Sequence, residues 1–222
     1  MKSYQQYCSV ARALDVVGDR WVLLIVRELL ALGPSRYSDL KRGLPGIASN
    51  LLAERLKVME AEGMLERYDA PPPVGTSLYQ LTARGRELQD VLHALARWGL
   101  ERMQTGAEAE DAVQPQWTAL FAGLELSPHV TPETEVVVGL ETGGEAVHAI
   151  LRHSTFEIRR GTAPGADVTL SGQALLVGAV LSGRLTPDQA ADLGLEIAGT
   201  PSVLTDLLHV PAHPSLGSGA TP

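Results

Sequence analysis

The 222-residue chain has a single cysteine, Cys8, so it can build neither an intrachain disulfide framework nor an all-cysteine metal site. It has no long apolar run either. The longest, Trp21 to Val26, stops at Arg27 and Glu28, far short of the roughly 20 residues that cross a bilayer, and no membrane partner is expected. The opening Met1-Lys2-Ser3-Tyr4-Gln5-Gln6 lacks the apolar stretch of a secretion signal, which predicts a cytoplasmic protein. His93 lies one turn before Arg97, and His129, His148, His153, His209 and His213 fall at no metal-ligand spacing; all six are expected to be structural or solvated. From Gln116 onward there is no Gly-rich phosphate loop, nucleophile elbow or metal cluster. No enzymatic activity, cofactor or metal is therefore expected.

What is present has the balance of a globular chain, 45% hydrophobic and 20% charged, which excludes a tail or a filament. At roughly 100 to 150 residues per domain this length suits two small domains. The formal net charge of −8 hides a division. Residues 1–105 carry 14 Lys+Arg against 12 Asp+Glu, a net of +2, whereas residues 106–222 carry 4 against 14, a net of −10. Only the first half is a candidate for nucleic acid, and the acidity of the second is read mainly as a solubility feature.

Within the first half, Val10, Ala13, Leu14 and Val17 space an amphipathic helix over Tyr7 to Gly18. Asp19 is placed to cap a buried helix from Arg20 to Leu32, which Gly33-Pro34 ends. Ser35 caps a short helix over Arg36 to Arg42, and after Gly43-Leu44-Pro45-Gly46 a second runs from Ile47 to Glu62. Met64 to Tyr68 and Leu78 to Leu81 form a hairpin around Pro71-Pro72-Pro73-Val74-Gly75-Thr76. Thr82 then caps a long helix from Ala83 to about Met103, striped by Leu88, Val91, Leu92, Leu95 and Trp98. Helix, tight turn, helix and hairpin in this order make a winged helix-turn-helix, whose second helix enters the major groove while the hairpin reaches the adjacent backbone or minor groove.

With Leu52 facing the core, 100° per residue places Ala48, Leu56 and Met59 beside it and turns Asn50, Ala53, Glu54 and Lys57 outward. Asn50 can bond an adenine edge, Glu54 can accept from a cytosine amine, and Lys57 suits guanine or phosphate. A solvated helix face would have the same composition. Arg36, Arg55 and Arg67 are the backbone-contact candidates, with Arg55 toward the flank of the core and equally open to a structural role. Ser38, Ser49 and Thr76 complete the candidate DNA-binding set.

Cys8-Ser9-Val10, Leu14, Val17-Gly18-Asp19-Arg20-Trp21, Leu23-Leu24-Ile25 and Arg27 resemble the opening of the HxlR branch of MarR-like winged helix regulators. Tyr37-Ser38-Asp39-Leu40, Gly43-Leu44-Pro45-Gly46-Ile47, Leu51-Leu52, Arg55-Leu56, and Tyr79-Gln80-Leu81-Thr82 with Gly85 extend the resemblance over about residues 7 to 104. Ala48 departs from a usual serine, and the proline-containing wing is about two residues longer than usual. The resemblance implies a homodimeric transcription factor, a repressor by expectation, with its seam on the first helix and on the long helix after the wing. Val10, Leu14, Leu88, Val91, Leu92, Leu95 and Trp98 are the seam candidates, and a two-fold axis would have the dimer read an inverted repeat with centres about 34 Å or a multiple apart. In some similar proteins the cysteine equivalent to Cys8 senses oxidants. Here Cys8 starts a helix with Arg12 one turn on, and the competing reading is a buried cysteine beside the seam.

A linker over 106–115 leads to a second, α+β domain over 116–209, and the Pro/Gly/Ser-rich 210–222 is expected to be disordered. Strands are expected over Glu135 to Leu140, Ala146 to Leu151, Thr155 to Arg159, Asp167 to Leu170 and Leu195 to Ile197, with helices over Gln173 to Leu181, Pro187 to Leu193 and Pro201 to Leu208. Asp167-Val168-Thr169-Leu170-Ser171-Gly172, Ser182-Gly183-Arg184-Leu185-Thr186-Pro187 and Gly194-Leu195-Glu196-Ile197 resemble the closing half of sterol carrier protein-like domains. That resemblance implies a sheet against helices around an apolar tunnel and hence a hydrophobic effector. Val136, Val138, Phe156, Ile158, Leu176 and Val180 are the candidate lining, although a packed core has the same composition. The expected function is that of a dimeric regulator of double-stranded DNA with an effector or partner domain. The alternative is a lipid or small-molecule binding protein whose winged helix makes only protein contacts.

Overall fold

The computed structural model describes residues 3–71, 75–103, 108 and 110–208, and the expected tail at 210–222 lies outside them. The chain divides into two compact units, residues 1–121 and residues 122 onward. The first opens with α1 (Ser9–Val17), α2 (Val22–Leu32), α3 (Tyr37–Gly43) and α4 (Ser49–Ala61). A hairpin of β1 (Leu65–Asp69) and β2 (Ser77–Leu81) follows, then α5 (Ala83–Arg86) and α6 (Leu88–Gly99).

The central helix α2 buries Val22, Ile25, Val26, Leu29 and Ala31, as a helix apolar nearly all round must. Around it pack Leu40 and Leu44, Leu52, Leu56 and Met59 of α4, and Leu65 and Leu81 at the base of the hairpin. Each fully buried side chain of this size contributes about 1.5–3 kcal/mol relative to exposure. Ser35 does not cap α3: it is buried, its hydroxyl donates to the Gly33 carbonyl at 3.0 Å, and its backbone pairs with Tyr79. Arg36 occupies the N-cap position. The Ser35 bridge adds a third segment to the hairpin and ties it to the helix-turn-helix.

The expected long helix is broken at Glu87. Thr82 does cap its start, accepting from the Gly85 N–H at 3.2 Å, but α5 lasts only four residues before α6 begins, and a 3-10 turn over Leu100–Met103 closes it. Gly85 lies so close to the Met64 carbonyl that an added Cβ would stand 2.0 Å from its oxygen. The linker too is shorter than expected, because Pro115 begins a helix, α7 (Pro115–Leu126), and the boundary between units falls inside it. Proline at a first helical position is a start signal.

The second unit is a five-stranded sheet with strand order β5-β4-β3-β6-β7. Its strands are β3 (Val136–Thr142), β4 (Glu145–Arg152), β5 (Thr155–Arg160), β6 (Val168–Ser171) and β7 (Glu196–Gly199). The helices are α8 (Ala174–Leu181), α9 (Pro187–Asp192) and α10 (Ser202–Leu208). β3 and β4 turn on Gly143-Gly144, both at positive φ, the conformation a two-residue hairpin demands. Register puts Val138, Ala149, Ile158 and Val168 side by side, all buried, while Glu157, Arg159 and His148 alternate toward the other face. Val177, Val180 and Leu181 of α8, Ala190 of α9 and Leu204 of α10 are buried as well. Thr186 caps α9 in a reciprocal capping box with Gln189.

Candidate nucleic-acid interface

α3 and α4 are joined by Leu44-Pro45-Gly46-Ile47-Ala48, with Gly46 at φ 83° and Leu44 and Ile47 buried beneath. Two α3 side chains hold this turn: the Tyr37 hydroxyl donates to the Ser49 carbonyl at 2.7 Å, and the Lys41 amine donates to the Ile47 carbonyl. Neither belongs to the DNA-binding set expected from the sequence. Tyr37 and Lys41 are four residues apart, on one face of a helix that leads into a turn, which is the spacing that could have flagged them. α4 itself begins at Ser49, later than the expected Ile47, and Ala48 is an exposed N-cap without a side-chain hydrogen bond, not a core-facing residue.

Leu52, Leu56 and Met59 form the buried side of α4, and Ser49, Asn50, Ala53, Glu54 and Lys57 are exposed on it. Arg36 and Ser38 are exposed at the start of α3. Arg55 stands apart from this group. Its side chain is only 15% exposed and pairs with Asp19 at 3.0 Å and with Glu54 at 3.1 Å, fastening α4 to the α1–α2 turn. That geometry fits the structural reading of this residue. In the hairpin Arg67 donates to the Ser77 hydroxyl at 2.9 Å, and Ser77 donates to Asp69 at 2.5 Å, so this arginine braces the wing. Thr76 is half-buried and its carbonyl accepts from the Ala70 N–H, while residues 72–74 at the tip lie outside the described residues.

The apolar stripe of α6 divides in two. Leu88 and Leu92, both named as seam candidates, pack on the unit's own core. Val91, Leu95 and Trp98 stay exposed, Trp98 to 74%, as do Val10 and Leu14 on α1. Cys8 is exposed, not buried, at the N-cap of α1. Arg12 ties to Asp15 and Ser3. The N–H of Tyr4 and the Ser3 hydroxyl donate to the Asp15 carboxylate at 2.8 Å each, and these bonds, with the Arg12 charge, hold it below the ordinary carboxylate range.

In the second unit, Val138, Ile158 and Val180 of the candidate lining are buried, and Val136, Phe156 and Leu176 are half-buried. Two clefts are described there. One of about 120 Å³ is lined by Gly139, Leu140, Glu141, Val147, Thr162, Ala163, Pro164 and Thr169, and the other, about 440 Å³ and open, by Glu141, Gly143, Gly144, Glu145, Ala146, Thr162, Ser171 and Gly172. Neither includes any of the six lining candidates.

Residues 16–107 match the HxlR-like helix-turn-helix family. The HTH-type transcriptional regulator YvaP of Bacillus subtilis is 37% identical over 90 residues, covering 40% of this chain and 82% of that protein. YtcD, an HTH-type transcriptional regulator of the same organism, is 35% identical over 101 residues, covering 45% of this chain and 78% of its own. Among solved structures, the reduced form of the transcriptional regulator YodB from B. subtilis is 31% identical, covers 46% of this chain and 100% of that one, and superposes with a TM-score of 0.39.

Proposed function

As the chain belongs to the HxlR-like helix-turn-helix family, we propose that it is a homodimeric, sequence-specific DNA-binding transcriptional regulator, a repressor, that reads an inverted repeat. The observation that carries the reading is the exposed, small and polar face of α4, with Asn50, Ala53, Glu54 and Lys57 opposite a fully buried apolar one. A helix diameter of about 10–12 Å fits the major groove, and these side chains offer the donors and acceptors that base edges and phosphates require. Arg36, Ser38, Ser49 and the wing contact the flanking backbone, with Arg67 and Thr76 acting through the shape of the wing. Two copies join through Val10 and Leu14 of α1 and Val91, Leu95 and Trp98 of α6, an exposed apolar set that a two-fold mate would cover.

The second unit serves as the effector or partner domain. Its sheet with buried helical side chains supports the sterol carrier-like reading, with Val136, Val138, Phe156, Ile158, Leu176 and Val180 as the apolar residues among which a ligand would lodge. Cys8, two residues before Val10, lies where oxidation would bear on the seam. Mobility shift with DNA from upstream of the chain's own coding region tests the whole reading. A sequence-specific shift at moderate salt is expected, altered by fluorescent fatty-acid probes that bind at micromolar levels, and compared with and without reductant to test Cys8. The absence of any specific shift would favour the alternative, a lipid-binding protein whose winged helix makes only protein contacts.

A further inference from the structure

We propose that the first turn of α7 is a latch on the DNA-reading head, through which the state of the second unit alters DNA affinity; the DNA half of this inference rests on the regulator reading above. The latch closes on Glu28. This carboxylate is 1% exposed on a helix whose other residues, Arg27 apart, are apolar, a placement that is costly unless its oxygens are bonded. Oε1 accepts from Arg27 at 2.8 and 3.0 Å and from the Trp117 indole N–H at 2.5 Å, and Oε2 accepts from the Gln116 amide at 3.4 Å. Two of these donors come from α7, nearly ninety positions away in sequence. The Arg27 guanidinium also stacks 4.0 Å over the Trp117 ring, and burial lowers its pKa while Glu28 opposes the shift.

The same residues hold the end of α3. Glu28 Oε2 lies so close to Gly43 that an added Cβ there would stand 2.2 Å away. Arg27 donates to the Gly43 carbonyl at 3.4 Å and Gln114 to the Arg42 carbonyl at 3.1 Å. Gly43 is the residue from which the turn into α4 departs, so the start of α7 holds the base of the recognition element through Glu28 and Arg27 of α2, and Gln114 just before it holds Arg42 directly. Further along α7, Gly123 is pressed against the Phe156 ring of β5, where an added Cβ would stand 2.5 Å from its carbons. α7 runs unbroken from Pro115 to Leu126, so it is the element through which a shift at Gly123 would reach Trp117. Gln116 Oε1 is buried with no partner among the described residues, which leaves the closed latch short of full satisfaction and suited to release.

The experiment uses the full chain, fluorescence anisotropy on labelled DNA from upstream of its coding region, and hydrogen exchange of the α3 amides without DNA. Trp117→Phe keeps a ring beneath Arg27 and removes the N–H; exchange at Leu40 to Gly43 is expected to accelerate at least tenfold. Unchanged exchange overturns the latch, whatever DNA does. Gly123→Ala, which crowds Phe156, is expected to shift the DNA Kd at least fivefold in the wild-type background and less than twofold beside Trp117→Phe. No shift, or equal shifts in both backgrounds, overturns the coupling. If Gly123→Ala fails to fold, Phe156→Leu perturbs the same contact by emptying it and carries the same comparison. A wild-type chain that shifts no DNA overturns the regulator reading and the DNA half of this inference, while the exchange result still decides the latch.

Discussion

If two copies join as proposed, replacing Trp98 with serine is expected to dissolve the dimer and leave the protomer folded. A tryptophan side chain offers about 150–250 Å² for burial. With Trp98 74% exposed, about 110–185 Å² of it waits for a partner. If half of that is covered across the seam, then at about 25 cal/mol per Å² each copy contributes roughly 2 kcal/mol. Two-fold symmetry doubles this to about 4 kcal/mol, a rise of about a thousandfold in dimer Kd. Sedimentation velocity over a range of concentrations reads the shift, and urea unfolding of the monomer serves as the control. Leu92→Glu is the contrasting variant. Leu92 packs on the unit's own core, so a carboxylate there costs several kcal/mol of stability and should lower the urea midpoint first. A Trp98→Ser chain that still dimerises within threefold of wild type would refute the seam. So would a Leu92→Glu chain that is monomeric yet unchanged in stability, since it would show that Leu92 faces the mate.

Three further outcomes are expected. Asn50→Ala should lose discrimination of roughly 1–3 kcal/mol between specific and random DNA, whereas Lys57→Ala should weaken both alike and flatten the salt slope by about one unit; equal losses from Asn50→Ala on both DNAs would remove its base-reading role. Arg55→Ala should destabilise the first unit by about 1–2 kcal/mol, with a double-mutant cycle showing coupling to Asp19, because the pair is partly buried and binds α4 to the α1–α2 turn. An unchanged melt with lost DNA binding would return Arg55 to the phosphate-contact set. Asp15, held below its ordinary value of 3.8, binds fewer protons folded than unfolded, so its tie to Ser3 and Tyr4 is full above that value and is lost as pH falls through the lowered one. NMR titration of the Tyr4 amide reads this, and an amide shift that moves at or above the ordinary value would contradict it.

Much of the fold is legible in the sequence because its determinants are local. Gly33-Pro34, Gly46, Gly63 and Gly143-Gly144 stop or turn the chain where the structure stops or turns it, since positive φ at those glycines is a property of the residue and its neighbours. Thr186 and Thr82 cap helices for the same reason. The outward face of α4 follows from a period of 3.6 residues and one assumption, that Leu52 faces in. Where the reading erred, competing local signals were close in strength. Ser35 is a good cap by residue type, but a backbone bridge to Tyr79, 44 positions away, took it first. α7 carries no amphipathic stripe, its Gln116, Thr118 and Glu125 being scattered among apolar residues, so its sequence offers no helical period and Pro115 reads as the end of a linker.

The sequence by itself determined the order of the strands and of the helices other than α7, the helix-turn-helix with its hairpin, the family, and the apolar stripe on α6. Only the tertiary structure decided which part of that stripe is spoken for. On a helix wheel Leu88, Val91, Leu92, Leu95 and Trp98 cover about 120°, and periodicity says that such an arc is covered but not by what. Packing on α2 takes Leu88 and Leu92 at one edge and leaves Val91, Leu95 and Trp98 at the other. Likewise Arg27-Glu28 reads in sequence as a charged interruption of an apolar run. That Glu28 is a buried acceptor for Trp117 and Gln116 depends on a contact spanning 89 positions, and no local period or turn preference encodes a partner at that separation.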